Sequence, residues 1–62
     1  DASRCLVIED SFNGYSAAQA AGIATIVIAE DSHHARFQGA AGRYRALPEL
    51  LEALTAEAET VE

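Results

Sequence analysis

Two short apolar runs and an alanine-rich segment between them dominate the first half of the chain. The segments from Arg4 to Ile8 and from Ile23 to Ala29 are apolar almost throughout, without alternation, which is typical of strands buried on both faces of a parallel sheet. The intervening segment from Tyr15 to Ala21 is rich in alanine, the strongest helix former. Gly22 follows where a left-handed glycine would end a helix. The pattern predicts a parallel βαβ unit.

The first predicted helix has one face of very small side chains. Gly14, Ala17, Ala18 and Ala21 fall at i, i+3, i+4 and i+7, so they share one side of a helix. Side chains of this size allow a helix to lie close to a sheet. We therefore predict that this face packs on the strands.

The second half of the chain has a weaker pattern until its last third. Residues Ser32 to Gln38 fit either one or two helical turns or a loop, and Arg43 to Ala46 fits a short edge strand. Pro48 to Glu59 is predicted to be a helix, because Pro48 suits the first helical position and leucines recur at helical spacing. No Ser, Thr, Asp or Asn stands at its cap position. The acidic tail from Thr55 to Glu62 is expected to fray.

A leucine stripe is the main feature of this last helix. Leu47, Leu50, Leu51 and Leu54 lie at i, i+3, i+4 and i+7. We predict core packing for the stripe if the rest of a parent sheet is present. Without that sheet the stripe is exposed and becomes an association surface.

Charge and cysteine content exclude several classes of protein. Ten Asp and Glu face four Arg and no Lys, for a net charge of −6. Binding to nucleic acid or to an anionic membrane needs a basic surface, so neither partner is expected. The apolar runs are far shorter than the roughly 20 residues that span a bilayer. The single cysteine, Cys5, allows no intramolecular disulfide. It predicts a reducing, cytoplasmic location, and Cys5 itself is expected to be a small core side chain.

Two adjacent carboxylates mark the end of the first predicted strand. Glu9 and Asp10 are followed by Ser11, Asn13 and Gly14, which favour a turn and a helix start. Ligands of open α/β sheets bind beyond the carboxyl ends of the strands. Two neighbouring anions there need a cation or a proton, and Mg²⁺ is the metal that prefers such oxygen ligands. The alternative interpretation is that both acids only favour the start of the next helix.

The segment around these acids resembles the fourth motif of the haloacid dehalogenase-like hydrolases. The sequence V-I-E-D-S-F-N-G-Y-S-A-A-Q-A-A-G-I-A-T-I-V-I is most similar to the branch with β-phosphoglucomutases and small sugar-phosphate phosphatases. The helix beginning Leu47-Pro48-Glu49 also resembles the family's C-terminal helix. The resemblance implies an α/β fold in which residues 1–62 form the C-terminal βαβ(βα) portion of a Rossmann-like parallel sheet. This portion is incomplete as a domain and belongs to the C-terminal part of the core domain.

The resemblance also implies a chemistry. It is that of a Mg²⁺-dependent phosphohydrolase or phosphomutase acting on small phosphate esters, such as sugar phosphates, through an aspartyl-phosphate intermediate. Asp10 would be a direct Mg²⁺ ligand, and Glu9 a direct or indirect one. The family's nucleophilic Asp-x-Asp motif and its lysine are missing from these residues. They would come from the remainder of the core, and a cap domain would select the substrate, so the 62 residues alone are predicted to be inactive.

Other interpretations remain open at this point. The chain could be a non-catalytic small α/β module that binds a cation or a protein, or an inactive fragment. His33 and His34 are adjacent, without a third ligand at metal-binding spacing, which favours a surface loop. Arg36, Arg43 and Arg45 are interpreted as solvated surface residues.

Overall fold

The three strands within residues 1–60 form one parallel sheet with a helix between the first two. The computed structural model describes residues 1–60, and the side chains of residues 1–58. The elements in chain order are a 3-10 turn (Ala2–Arg4), β1 (Leu6–Glu9), α1 (Phe12–Ala20), β2 (Ala24–Ile28), a second 3-10 turn (Ala35–Phe37), β3 (Gly42–Tyr44) and α2 (Leu47–Thr60). The strand order is β1-β2-β3, and both pairings are parallel. The predicted α/β fold and its incomplete parallel sheet are confirmed.

Both ends of α1 are fixed by local hydrogen bonds. The helix begins at Phe12, three residues before the predicted start, because the Ser11 hydroxyl accepts a hydrogen bond from the Gly14 N–H at 3.2 Å. At the other end, Gly22 has a φ of +73°. The Ile23 N–H donates to the Ala18 carbonyl, and the Gly22 N–H donates to that of Gln19, each at 3.0 Å. This is the Schellman arrangement, so the predicted role of Gly22 is confirmed.

Only one face of β1 is covered. Parallel pairing places Val7 beside Thr25 and Glu9 beside Val27, and Thr25 and Val27 are fully buried. On the opposite face of β1, Leu6 and Ile8 are each 56% exposed. The prediction that this strand is buried on both faces is therefore wrong for the described residues, in which no element covers the second face. The outer edge of β1 likewise has no paired strand among them.

The core centres on two aromatic side chains and a valine. Tyr15, Val27 and Phe37 form one buried cluster, and Ala29 and Ala40 pack against it. The buried side of α1 therefore depends on Tyr15 as well as on Ala18. The predicted face of small residues is wrong in part, since Ala17 and Ala21 are exposed. The ring of Tyr15, and not a row of methyl groups, fills the space between α1 and the sheet.

α1 is also tied to the loop that precedes β3. The Tyr15 hydroxyl accepts a hydrogen bond from the Gly39 N–H at 3.0 Å. The Gln19 side chain donates to the Gly39 carbonyl, also at 3.0 Å. A Cβ at Gly39 would lie 2.8 Å from the Tyr15 hydroxyl oxygen, so the close approach of helix and loop requires glycine there.

The leucine stripe of α2 is buried at one position. Leu50 is 4% exposed, whereas the other three leucines, Leu47, Leu51 and Leu54, are each more than half exposed. The helix packs against β3. At its start, the Glu49 carboxylate accepts a hydrogen bond from the Arg45 N–H at 2.9 Å. This bond ties the first turn of α2 to the residue before the helix, while the usual cap position remains without a capping side chain, as the sequence predicts.

The remaining predictions concern single segments. The segment after β2 contains the short 3-10 turn, and β3 begins one residue before the predicted edge strand. Cys5 is exposed and not in the core, because it precedes β1 and its thiol lies 3.3 Å from the Asp1 carbonyl oxygen. No helix within residues 1–60 is long and apolar enough to cross a membrane. In the tail from Thr55 to Glu62, which is expected to fray, α2 continues to Thr60, and residues 61–62 lie outside the described residues.

Candidate functional site

The carboxylate of Glu9 lies at the junction of β1 and α1. Glu9 is the last residue of β1 and is half-buried. Its Oε1 accepts a hydrogen bond from the Ser11 hydroxyl at 3.4 Å, while that hydroxyl accepts one from the Gly14 N–H. The first turn of α1 and the Glu9 side chain are thus connected through Ser11. A carboxylate at the N-terminus of a helix is also favoured by the helix dipole.

Gly14 provides the space in which this carboxylate lies. A Cβ on Gly14 would overlap the carboxyl group of Glu9. Any larger residue at this position would therefore displace the Glu9 side chain. The helical pattern places Gly14 among small residues that pack on the sheet, but it does not reveal that the neighbour is the candidate metal ligand. The motif Glu9-x-Ser11-x-x-Gly14 is the signal from which this contact could have been inferred.

Asp10 has a different environment from its neighbour. Its side chain is exposed, and it has no hydrogen-bond partner within residues 1–58. The structure thus places both predicted ligands at the carboxyl end of β1, where ligands of parallel sheets bind. Asp10 is available to bind a cation directly, whereas Glu9 is already bound to a hydroxyl group.

The donor set fits part of a Mg²⁺ site. Mg²⁺ takes oxygen ligands, keeps several waters and uses one or two protein carboxylates together with substrate phosphate. Glu9 and Asp10 offer carboxylate oxygens of this kind. Within residues 1–58 no group of three or more His, Cys, Asp or Glu side chains gathers around one point. A site formed here would therefore need further ligands from water, substrate or other residues.

Comparison with known proteins adds no relative. No family model matches the chain. No curated protein and no solved structure matches it either. The resemblance to the haloacid dehalogenase-like hydrolases therefore rests on the motif around Glu9 and Asp10 and on the order of the elements, and the function it implies is a proposal.

The loop after β2 contains the other polar residues singled out in the sequence. His34 caps the 3-10 turn, because its Nδ1 accepts a hydrogen bond from the Arg36 N–H at 3.1 Å. The Arg36 guanidinium forms an ion pair with Asp31 and lies over the rings of Phe12 and Phe37. These contacts were missed in the sequence, because Phe12 and Arg36 lie 24 residues apart along the chain (36 − 12).

Proposed function

We propose that the chain is part of a Mg²⁺-dependent phosphohydrolase or phosphomutase of the haloacid dehalogenase type. Its substrates are small phosphate esters, with sugar phosphates as the favoured class. The observation that supports this proposal is the paired carboxylates at the carboxyl end of β1, with Glu9 seated over Gly14 and Asp10 exposed. This arrangement leaves two carboxylates that can bind a cation at the carboxyl end of the sheet, where α/β enzymes bind their substrates and cofactors.

The two carboxylates have separate tasks in this proposal. Asp10 binds the cation directly, because its side chain is exposed and has no other partner within residues 1–58. Glu9 binds it directly or indirectly, and the Ser11 hydroxyl donates a long hydrogen bond to its carboxylate. Bound Mg²⁺ would neutralise charge on the phosphoryl group during transfer.

The nucleophile and the substrate pocket belong to other parts of the enzyme. The chain contains no Asp-x-Asp sequence and no lysine, so it cannot form the aspartyl-phosphate itself. The unpaired edge of β1 and the exposed side chains of Leu6 and Ile8 are suited to the remainder of the core, because parallel sheets are normally covered on both faces. A cap domain would provide substrate specificity. We place the complete enzyme in the cytoplasm, in keeping with the one cysteine of these 62 residues, which is free and exposed.

Metal binding by the chain itself is the first test. We would add Mn²⁺, a paramagnetic substitute for Mg²⁺, and follow the line broadening of amide signals by NMR. Signals of residues 9–14 should broaden first, and excess Mg²⁺ should reverse the effect. Asp10→Asn should weaken binding at least tenfold. Glu52→Gln is the control, since it removes one exposed carboxylate from α2 and should change nothing. Equal broadening around all acidic residues would contradict the proposed site.

The enzymatic part of the proposal requires the complete protein. Intact mass and peptide sequencing of the natural protein should reveal residues before Asp1, with Asp-x-Asp after an apolar strand. In that protein, Asp10→Ala should nearly abolish hydrolysis of phosphate esters and leave the circular dichroism spectrum unchanged. Retained Mg²⁺-dependent turnover would reject the role of Asp10. A natural protein of only these 62 residues would reject the enzyme and favour a non-catalytic module.

A further inference from the structure

The side chain of Arg36 connects the loop after β2 to the first turn of α1. Its guanidinium carbon lies 5.4 Å from the ring centroid of Phe12 and 5.1 Å from that of Phe37. Both distances are within the range of cation–π contacts. Phe12 is the first residue of α1 and follows its cap, Ser11. Arg36 therefore touches the same helical turn that contacts the Glu9 carboxylate.

Arg36 is itself fixed from several sides. Its backbone N–H donates to Nδ1 of His34, and its guanidinium forms the ion pair with Asp31. Phe37 is 1% exposed and belongs to the core, so the ring beneath Arg36 has a fixed position. The exposed ion pair is a weak restraint by itself, so the position of the guanidinium depends mainly on its contact with the buried Phe37 ring.

Phe12 is the less buried ring in this contact. It is 38% exposed, so packing alone covers only part of the ring. Its centroid lies 5.9 Å from those of Tyr15 and Phe37, at the separation of edge-to-face aromatic pairs. Arg36 adds a third contact to the ring, and through the ring it would restrain the backbone between Ser11 and Gly14.

We infer that Arg36 is a positioning residue for the Glu9 carboxylate. Movement of Phe12 would shift Ser11, whose hydroxyl donates to Glu9, and Gly14, which lies against the carboxyl group. Within residues 1–58 the ion pair of Arg36 is with Asp31 and not with Glu9, so Arg36 acts on the Glu9 carboxylate through the first turn of α1. Its importance for metal binding rests on the function proposed above, whereas its effect on the helical turn does not.

Amide hydrogen exchange measures the helical turn directly. The Gly14 N–H donates to Ser11 at the start of α1, and the Ile23 N–H donates to Ala18 at its end. Local opening of the first turn raises the Gly14 rate alone, whereas loss of global stability raises the Ile23 rate as well, so only a higher Gly14 to Ile23 ratio reports on the first turn. Arg36→Ala should raise the Gly14 to Ile23 ratio about two- to fivefold, the change expected for loss of an exposed cation–π contact. Arg36→Lys, which keeps the charge without the planar group, should give an intermediate value.

Two controls separate this effect from loss of charge and loss of stability. Arg4→Ala removes the same charge at the opposite end of β1 and should leave the ratio unchanged. Leu50→Ala destabilises the chain at α2 and should not raise the ratio, because global destabilisation does not open the first turn selectively. If Arg36→Ala does not fold, Phe12→Leu removes the ring from the other side of the contact and should raise the ratio in the same way. An unchanged ratio in the folded variants would overturn the inference.

The metal-binding consequence is measured in the same variants. With Mn²⁺ as the probe, Arg36→Ala should weaken binding at residues 9–14 by threefold or more, and Arg36→Lys should restore part of it. Arg4→Ala should bind as the unmodified chain does. If the unmodified chain shows no selective broadening, the proposed function fails while the exchange ratio still decides the positioning effect. If it binds Mn²⁺ and Arg36→Ala binds equally well, the positioning role in metal binding is wrong.

Discussion

The two helices differ in how their apolar residues are used. α2 has four leucines at helical spacing, but only Leu50 is buried. α1 has no such stripe, yet Tyr15 and Ala18 are buried, and two side chains of the helix bind the backbone of Gly39. The helix with the weaker sequence pattern is therefore the more firmly attached one. An amphipathic pattern shows that a helix can be buried, whereas the surrounding elements determine whether it is.

The largest expected effect is at the core beneath α1. Phe37→Ala should lower the free energy of unfolding by about 3–5 kcal/mol, because it removes a fully buried ring and leaves a cavity. Urea unfolding followed by circular dichroism measures the change. This cost is comparable to the whole stability of about 3–9 kcal/mol expected for a chain of this length. Phe37→Leu provides the smaller truncation if the alanine variant is unfolded. A loss below about 1 kcal/mol would contradict the placement of Phe37 in the core.

Removing the Tyr15 hydroxyl group should measure how much the contact between α1 and Gly39 contributes to stability. Tyr15→Phe keeps the buried ring but leaves the Gly39 N–H without its acceptor. We expect a loss of about 1–2 kcal/mol. Tyr44→Phe is the matched control, since Tyr44 is half-buried in β3 and its hydroxyl has no hydrogen-bond partner within residues 1–58. Equal effects of the two substitutions would show that the Tyr15 hydroxyl does not attach the helix.

Substitution of Gly22, at the end of α1, should affect stability, whereas substitution of Gly14, in its first turn, should affect metal binding. Gly22→Ala places a side chain at a φ of +73° with open space around it, and should cost about 1–2 kcal/mol of stability. Gly14→Ala improves helix propensity but displaces the Glu9 carboxylate, which can move away. Stability should then change by less than about 1 kcal/mol, while Mn²⁺ binding weakens. If Gly14→Ala leaves binding intact, Glu9 does not contribute to the site from its present position.

The smallest effect is expected on the exposed side of α2. Leu51→Ala should change the free energy of unfolding by no more than about 0.5 kcal/mol, because its side chain is 54% exposed. Leu50→Ala, one residue earlier, should cost about 2–4 kcal/mol. Urea titration of both variants under the same conditions gives the comparison. A similar loss in both would mean that the whole stripe is buried, for example through association of two chains, which sedimentation velocity would detect.

Much of the fold could be predicted because it depends on short-range chemistry. The two apolar strands, the alanine-rich helix and its left-handed glycine each depend on residues within one segment, and the structure confirms them. The start of α1 was misplaced because Phe12, Asn13 and Gly14 are weak helix formers. The Ser11 cap compensates for them. Helix propensity alone therefore does not locate the start of α1, because its first turn lies in the motif that follows the candidate ligands.

The contacts between distant segments could not be predicted in the same way. Gly39 accepts and donates hydrogen bonds with α1 residues that precede it by 20 positions or more. The contact of Arg36 with Phe12 also joins distant segments, and neither segment has a sequence pattern that identifies the other as its neighbour. For the site, the motif was sufficient to locate Glu9 and Asp10 at the end of β1. It could not show that one carboxylate is seated over a glycine and the other is exposed, since this depends on side-chain packing.

The register of the sheet has a consequence for how the chain folds. Leu6 pairs with Ala24, 18 positions later (24 − 6), and Ile26 pairs with Gly42, 16 positions later (42 − 26). The entropic cost of closing a loop grows only with the logarithm of its length, so the two closures differ by about 0.1 kcal/mol. Connectivity therefore gives neither strand pairing an advantage. Because Tyr15 lies in the first loop and Phe37 in the second, their shared core forms only when both loops are closed, and we expect one cooperative transition without a stable half.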